Sequence, residues 1–511
     1  MVTRTYTAAH LGLDVYPVEV EIDSKQGIPQ FVLIGLASRA VEEAKERITS
    51  ALHNCGIRVR SKRTIVNLAP ASVPKSGTAF DLAIVVGLLK MYGELALNTD
   101  HTLFLGELAL DGKVKPVSGV LPLVLGAKKL GFTQVVVPVQ NCKEISTLSG
   151  IEIYPIEHLQ ELLQSPKQQS LPLTALTSQP FSPARVSSTT YTFTNIIGQE
   201  KAKRGLVLAA AGGHPVLFTG PPGSGKTQLA RALPELLPPL TETESIEVTA
   251  VYSIAQLIPA GLLSTRPFRS PHHTISRTGL LGGGNPIKPG ELSLAHHGVL
   301  FLDELLEFPG AILDMLRQPL EEKSVTLSLN SGHTTFPAAT TLVAATNPCP
   351  CGYFGSGYKP CTCSPGITAR YQQKLSGPLR DRFDIQLEVD QERQLFEDRE
   401  SSENSIQKLQ HFEELRQCIS SCRTTQQNRY QHLGRSSVTQ LTFSELQEVT
   451  LLTPKTKRAV NAAALKHNLT GRGYWAVVRI AQTIADLSAE TTITPEHIQE
   501  AITFRLCSAS Y

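Results

Sequence analysis

Gly220-Pro221-Pro222-Gly223-Ser224-Gly225-Lys226-Thr227 stands between the apolar run Val216-Leu217-Phe218 and Gln228-Leu229-Ala230-Arg231-Ala232-Leu233. That order reads as strand, glycine loop and helix, which is what a phosphate cradle needs. Glycines at 220, 223 and 225 let successive backbone N–H groups turn inward toward a triphosphate. Lys226 supplies a point charge to the outer phosphates, and the Thr227 hydroxyl is suited to Mg²⁺. A Gly/Pro turn ahead of an ordinary helix is the plainer alternative. The full motif in its context favours nucleotide binding by Gly220 to Gln228, with ATP and Mg²⁺ as the expected cofactors.

Working outward, Gly298-Val299-Leu300-Phe301-Leu302-Asp303-Glu304 is a buried-strand run ending in two carboxylates. Asp303 is suited to holding Mg²⁺ through water, and Glu304 to polarising the water that attacks a γ-phosphate, so hydrolysis is expected and not binding alone. Thr341 to Asn347 reads as a further strand, with Asn347 able either to orient that water or simply to cap the strand before Pro348. Cys349-Pro350-Cys351 and Cys361-Thr362-Cys363 give four thiolates in two pairs, enough for a closed tetrahedral zinc site that would be structural, with reduced, unligated cysteines as the alternative. His272 and His273 are candidate metal ligands without an acid or cysteine partner at ligand spacing, so a structural or nucleic-acid role is expected.

At 511 residues the chain exceeds what one hydrophobic core serves, so two to four domains are expected. Apolar content of 41% and charged content of 18% are ordinary for a globular protein. Apolar runs such as Leu82 to Leu89 fall short of the roughly 20 residues needed to cross a bilayer, and no apolar signal core precedes Asp14. The expectation is a cytoplasmic protein without a membrane partner. Nine cysteines, an odd number, read as thiols and a metal site and not as a disulfide framework. A net charge of +3 neither favours nor excludes nucleic acid.

Residues 1–165 mix strand and helix patterns, in an α/β or α+β class. Val18, Val20 and Ile22 alternate with acids. Val41, Ala44, Ile48, Ala51 and Leu52 recur at helical spacing before Cys55-Gly56. Further strands are expected at Thr64 to Leu68, Leu103 to Leu105 and Gln134 to Val137, and helices at Ala79 to Met91 and Val120 to Leu130. Arg58, Arg60 and Lys62 read as one strand face, with Arg63 beside them, available to a phosphate backbone or as a charged strand edge. Residues 166–190, rich in Ser, Pro, Gln and Thr, read as a linker. Val325 to Leu329 and His333 to Phe336 flank a hairpin turn at Asn330-Ser331-Gly332. From 392 to 511 the patterns are helical: Leu395 to Leu415, Phe443 to Leu452, Lys455 to Lys466, Tyr474 to Leu487 and His497 to Phe504.

Several stretches resemble known families. Pro74-Lys75-Ser76-Gly77-Thr78-Ala79, then Gly106-Glu107-Leu108, Gly112-Lys113-Val114 and Ser118-Gly119-Val120, resemble the proteolytic domain of Lon-type proteases, which use a lysine-activated serine. Ala79 stands where that motif places the serine, and Leu121 and Leu123 where its lysine is expected. The resemblance implies a Lon-protease-like (ribosomal S5 domain 2-like) domain over 1–165 without the Ser-Lys dyad, although Lys75 and Ser76 remain on the turn.

Phe193 to Gln199 resembles the opening of AAA+ ATPases, implying a P-loop core over 191–391 and an all-α lid over 392–511. Arg266 to Thr274, Gly282 to Gly284 and Pro289-Gly290-Glu291 resemble the helix 2 insert of one AAA+ clade; in related motors the hairpin corresponding to Val325 to Phe336 points into the ring channel, and its tip here is polar and not basic. Asn347 resembles sensor 1, and Arg472 in Thr470-Gly471-Arg472 resembles sensor 2, which implies that it reaches a γ-phosphate. Pro378 to Asp384 resembles the arginine-finger segment of magnesium chelatase ATPases and MCM helicases. By that match Arg382 is the finger, with Arg380 and Arg370 as rivals.

Together these resemble the magnesium-chelatase-like competence protein ComM (YifB) family over nearly the whole chain. That resemblance implies a homo-hexameric DNA motor acting on single-stranded and branched DNA, promoting branch migration. A chelatase motor working through a protein partner and an ATP-dependent protease are the alternatives, the latter opposed by Ala79, Leu121 and Leu123.

Overall fold

The computed structural model describes residues 2–35, 43–59, 62–75, 77–164, 168–182, 191–257, 261–329, 332–357, 359–390, 405–450 and 452–505. Val41, Arg60, Ser76, the Asn330-Ser331 hairpin tip and the 391–404 segment of the sequence reading lie outside them.

The first sheet comprises β1 (Thr3–Leu11), β2 (Asp14–Lys25), β3 (Gln30–Ile34), β4 (Arg63–Ala69), β5 (Thr102–Phe104), β6 (Gln134–Pro138) and β7 (Glu152–Ile156), in the order β3-β4-β2-β1-β5-β6-β7. It is mixed: β1, β2 and β4 pair antiparallel, while β3 on β4 and β5, β6 and β7 run parallel. Alternation in β2 buries Val18, Val20 and Ile22 as the sequence implies. Helices α1 (Ala44–Asn54), α2 (Asp81–Tyr92) and α3 (Val120–Lys129) cover it, with a hydroxyl from β1 tying sheet to helix where Thr5 Oγ1 donates to Ala83 O at 2.9 Å.

One expectation for this region is corrected. Arg58 and Lys62 lie in no strand and so present no strand face: α1 ends at Asn54, and β4 begins only at Arg63, where it pairs with Gln30. Residues 168–182 carry no helix or strand, yet they are not a free tether. Leu171, Leu173 and Leu176 pack on the first region's cores, and Leu176 N–H donates to Ile153 O at 2.7 Å.

The second sheet is parallel, built from β8 (Val216–Thr219), β9 (Phe268–Arg269), β10 (Val299–Leu302), β11 (Thr341–Thr346) and β12 (Ile385–Glu388) in the order β9-β10-β11-β8-β12. Both faces are covered, which is why β10 and β11 read as continuous buried runs. One face packs on α4 (Glu200–Gly212), α5 (Lys226–Leu236) and the C-terminal helices; the other packs on Leu280, Leu292, Leu305 and Phe383. Because β8 lies between β11 and β12, the loop after it opens at the crevice where ligands of open parallel sheets bind.

The C-terminal helices are α7 (Ser405–Tyr430), α8 (Phe443–Val449), α9 (Pro454–Lys466), α10 (Gly471–Leu487) and α11 (Pro495–Thr503), α6 being Glu242–Ile254. Thr442, Thr453, Thr470 and Thr494 cap the last four, each hydroxyl accepting the N–H three residues on. The first of these helices runs to Tyr430, past the expected end at Leu415, through a polar stretch that hides its period. A buried network joins sheet to helices: Asp384 beside β12 accepts from His214 Nδ1 at 2.9 Å and from Arg479 of α10 at 2.6 and 3.1 Å, while Thr483 meets His214 Nε2 at 2.8 Å.

The two sheet regions touch through α3 and α6, where Gly119 N–H donates to Ser253 O at 3.3 Å. A second contact comes from the expected hairpin, Ser324–Leu329 with Gly332–Pro337. Its Thr334 hydroxyl donates to Leu11 O at 3.1 Å, and Phe336 is buried with Ile254 and Ile287 against Leu11 and Leu13. Among the described residues no helix is long and apolar enough to cross a membrane.

Candidate nucleotide site

The cradle follows β8 and opens α5. Gly223 and Gly225 take φ of +76° and +88°, a region that side chains resist, so the loop turns its amides inward only with glycine there. Lys226 folds back over the loop: Nζ donates to Gly220 O and Pro221 O, both at 2.7 Å, and stands 3.4 Å from Asn347 Oδ1 at the end of β11. Burial pushes its ammonium down to about 8, with Asp303 opposing the shift. A triphosphate would restore the charge. Nucleotide affinity is therefore expected to fall about tenfold between pH 7 and pH 9, as free Lys226 deprotonates through about 8, and binding at pH 8 should take up a proton fraction. Calorimetry in buffers of different ionisation heat checks this; a pH-independent affinity would contradict it.

Thr227 Oγ1 donates to Asp303 Oδ2 at 3.0 Å, bringing hydroxyl and carboxylate together as the oxygen pair that Mg²⁺ prefers. Glu304 follows in the left-handed region (φ 51°, ψ 48°), a costly conformation for a residue with a Cβ, held in part by its N–H on Asp303 Oδ1 at 3.0 Å. Its carboxylate reaches His273, with Nδ1 and Oε2 3.5 Å apart. No acid stands at ligand spacing beside the histidine pair along the chain. The partner is Glu304, because β9 lies beside β10 and the chain leaving β9 meets the end of its neighbour. Only strand order carries that signal. Arg269 of β9 forks onto Glu291, 2.6 Å at both contacts, and fixes the intervening segment.

The arginines gather elsewhere. Arg382 Nη2 and Arg472 Nη2 both sit on Glu321 Oε1, at 2.6 and 3.0 Å. They line a cleft of about 780 Å³ between the second sheet region and the C-terminal helices, together with Lys323, Trp475 and Arg479. Arg370 is exposed on the helix Pro365–Gln372, and Arg380 is half-buried at the end of the turn Gly377–Arg380. Glu321 is the residue the sequence reading missed; no motif marks it.

Cys349, Cys351, Cys361 and Cys363 converge, their sulfurs all within 4.8 Å of one another. Cys349 to Cys351, Cys351 to Cys361 and Cys349 to Cys361 are 3.3, 3.5 and 3.6 Å. A disulfide needs about 2.05 Å. Tetrahedral zinc, with bonds of about 2.3 Å, sets its sulfurs about 3.8 Å apart, so the donor set fits a metal.

Three family models match the chain: magnesium chelatase, subunit ChlI, over residues 192–395; subunit ChlI of Mg-chelatase over 20–141; and the ChlI C-terminal model over 410–505. The competence protein ComM of Haemophilus influenzae is 38% identical over 503 residues, covering 98% of this chain and 96% of its own. The chain belongs to the magnesium-chelatase-like ComM/YifB family. YifB of Escherichia coli, 35% identical over 511 residues, spans 98% of this chain and 96% of its own. A shorter similarity, 28% over 145 residues, joins 27% of this ComM/YifB chain to Lon protease 2 of Bacillus subtilis. The ComM/YifB family sits among the AAA+ proteins, which use ATP and Mg²⁺.

Proposed function

We propose that this chain is an Mg²⁺-dependent ATP-hydrolysing ring motor acting on DNA, a helicase that promotes branch migration during recombination and natural transformation. The observation that carries the ATPase is the convergence of Lys226, Thr227, Asp303, Glu304 and Asn347 at the ends of β8, β10 and β11. Lys226 and the loop amides hold the phosphates, with Gln228 opening the first turn beyond them. Thr227 and Asp303 hold Mg²⁺, which would neutralise charge developing on the phosphates. Glu304 takes a proton from the attacking water, which Asn347 orients. DNA as substrate is supported by the kinship with a competence protein.

The ring is supported by the arginines. In this reading Arg382 serves a neighbour's γ-phosphate, which takes the place of the Glu321 carboxylate on which Arg382 and Arg472 rest in the single chain. Arg382→Ala is expected to lower turnover ~10³-fold or more. Mixed with Lys226→Ala chains it should regain activity, because some interfaces then pair an intact cradle with an intact finger. No gain on mixing would place the finger in its own subunit's site.

A Lon-like first region without a dyad is supported by Ala79 packing in the apolar cluster that holds Leu121 and Leu123. A structural Zn²⁺ on Cys349, Cys351, Cys361 and Cys363 is supported by the sulfur geometry. The test of the motor is steady-state ATP hydrolysis without DNA and with single-stranded, duplex and four-way-junction DNA. Stimulation by DNA is the expected result. Equal turnover throughout would sink the DNA motor and direct the search to a protein partner of the chelatase kind.

A further inference from the structure

The cysteine cluster lies against the nucleotide cradle. Cys349 comes two residues after Asn347, whose amide oxygen stands 3.4 Å from Lys226 Nζ. Cys349 is fully buried, and its sulfur accepts the Phe354 N–H at 3.3 Å. Gly352, at φ +86°, lies so close to Pro222 of the cradle that an added Cβ would stand 2.5 Å from Pro222 Cδ and 2.7 Å from Cγ. The loop's base is held from the other side, where Gln372 Nε2 donates to Pro348 O at 2.9 Å. The loop thus touches the cradle at Pro222 and is chained to it at Asn347. Its own backbone contains Gly352, Gly355 and Gly357, and the convergence of the four sulfurs joins its ends.

We propose that a soft divalent metal held by Cys349, Cys351, Cys361 and Cys363 sets the shape of the nucleotide cradle, bracing Pro222 on one side and Asn347 on the other. The proposal rests on Gly220 to Thr227 binding nucleotide. Four thiolates fill a tetrahedral shell, so the ion has no open position and takes no part in hydrolysis. Its loading displaces thiol protons, and its loss returns four protonated thiols with no ion to tie the two ends of the loop together. Gly352 can then leave Pro222, and the cradle amides lose their common focus.

The test uses the full chain, purified reduced from zinc-replete cells, with metal content read by mass spectrometry and binding of a fluorescent ATP analogue read by titration. About one zinc per chain is expected. Stripping the metal with an organomercurial and removing the reagent with excess thiol should weaken nucleotide binding at least tenfold, and added zinc chloride should restore it. Gly352→Ala should keep the zinc and still lose about tenfold in affinity, separating the brace from mere folding of the loop. A chain that purifies folded without metal overturns the metal site. Full zinc with parental affinity in Gly352→Ala, or parental affinity in the stripped chain, overturns the brace. Lys226→Ala is the control: if it binds the analogue as the parent does, the nucleotide reading itself fails.

Discussion

Glu304→Gln is expected to slow ATP turnover by about 10²–10⁴-fold while leaving nucleotide binding close to that of the parent chain. The amide keeps the size of the carboxylate and the left-handed backbone at residue 304 (φ 51°) need not change, so Thr227 and Asp303 stay paired at 3.0 Å. What is lost is the acceptor for the proton of the attacking water. The same change removes the anion facing His273 at 3.5 Å, leaving that ring to the neighbouring His272, whose centroid is 4.0 Å away. Phosphate release and analogue titration, measured side by side, decide the matter. A variant that hydrolyses ATP at parental rates would remove Glu304 from the chemistry. One that no longer binds nucleotide would make it part of the cradle.

Asp384→Asn is expected to cost about 3–5 kcal/mol of stability at neutral pH, the cost of breaking a buried pair by removing one partner. Asp384 is 1% exposed. Burial alone would raise its carboxyl, but the Arg479 guanidinium and the His214 ring hold it well below the usual carboxylate range. A depressed folded value means that the stabilisation is complete above the unfolded value of about 4 and is lost as pH falls toward the folded one. The gap between parent and variant should accordingly be full at pH 7 and narrow below about pH 4. Thermal unfolding across that range measures it. A variant as stable as its parent at pH 7 would show that Arg479 and His214 find other partners. Because Arg479 belongs to α10, the same variant should loosen the C-terminal helices from the second sheet.

Much of the second sheet region is legible in sequence because its signals are local. The cradle is one contiguous motif, and β10 and β11 are unbroken apolar runs. What is not legible depends on chain returning from a distance. β1 escapes notice because Thr5 and Thr7 occupy core-facing positions, Thr5 satisfied by a carbonyl of α2, so hydrophobic alternation is silent there. The basic residues before β4 mislead in the opposite way, since their alternation matches a strand that has not begun. His273 beside Glu304, and Glu321 between two arginines, are products of strand order and of helices folding back over the sheet. Spacing along the chain carries no record of either.

The hairpin from Ser324 to Pro337 is fastened at Thr334 to the carbonyl of Leu11 and sealed by Phe336 against Leu11 and Leu13. Leu11 ends β1, which runs through the middle of the first sheet. The hairpin has therefore surrendered its separate degrees of freedom. It can swing only by carrying the seven-stranded sheet with it, or by first breaking the latch at Leu11.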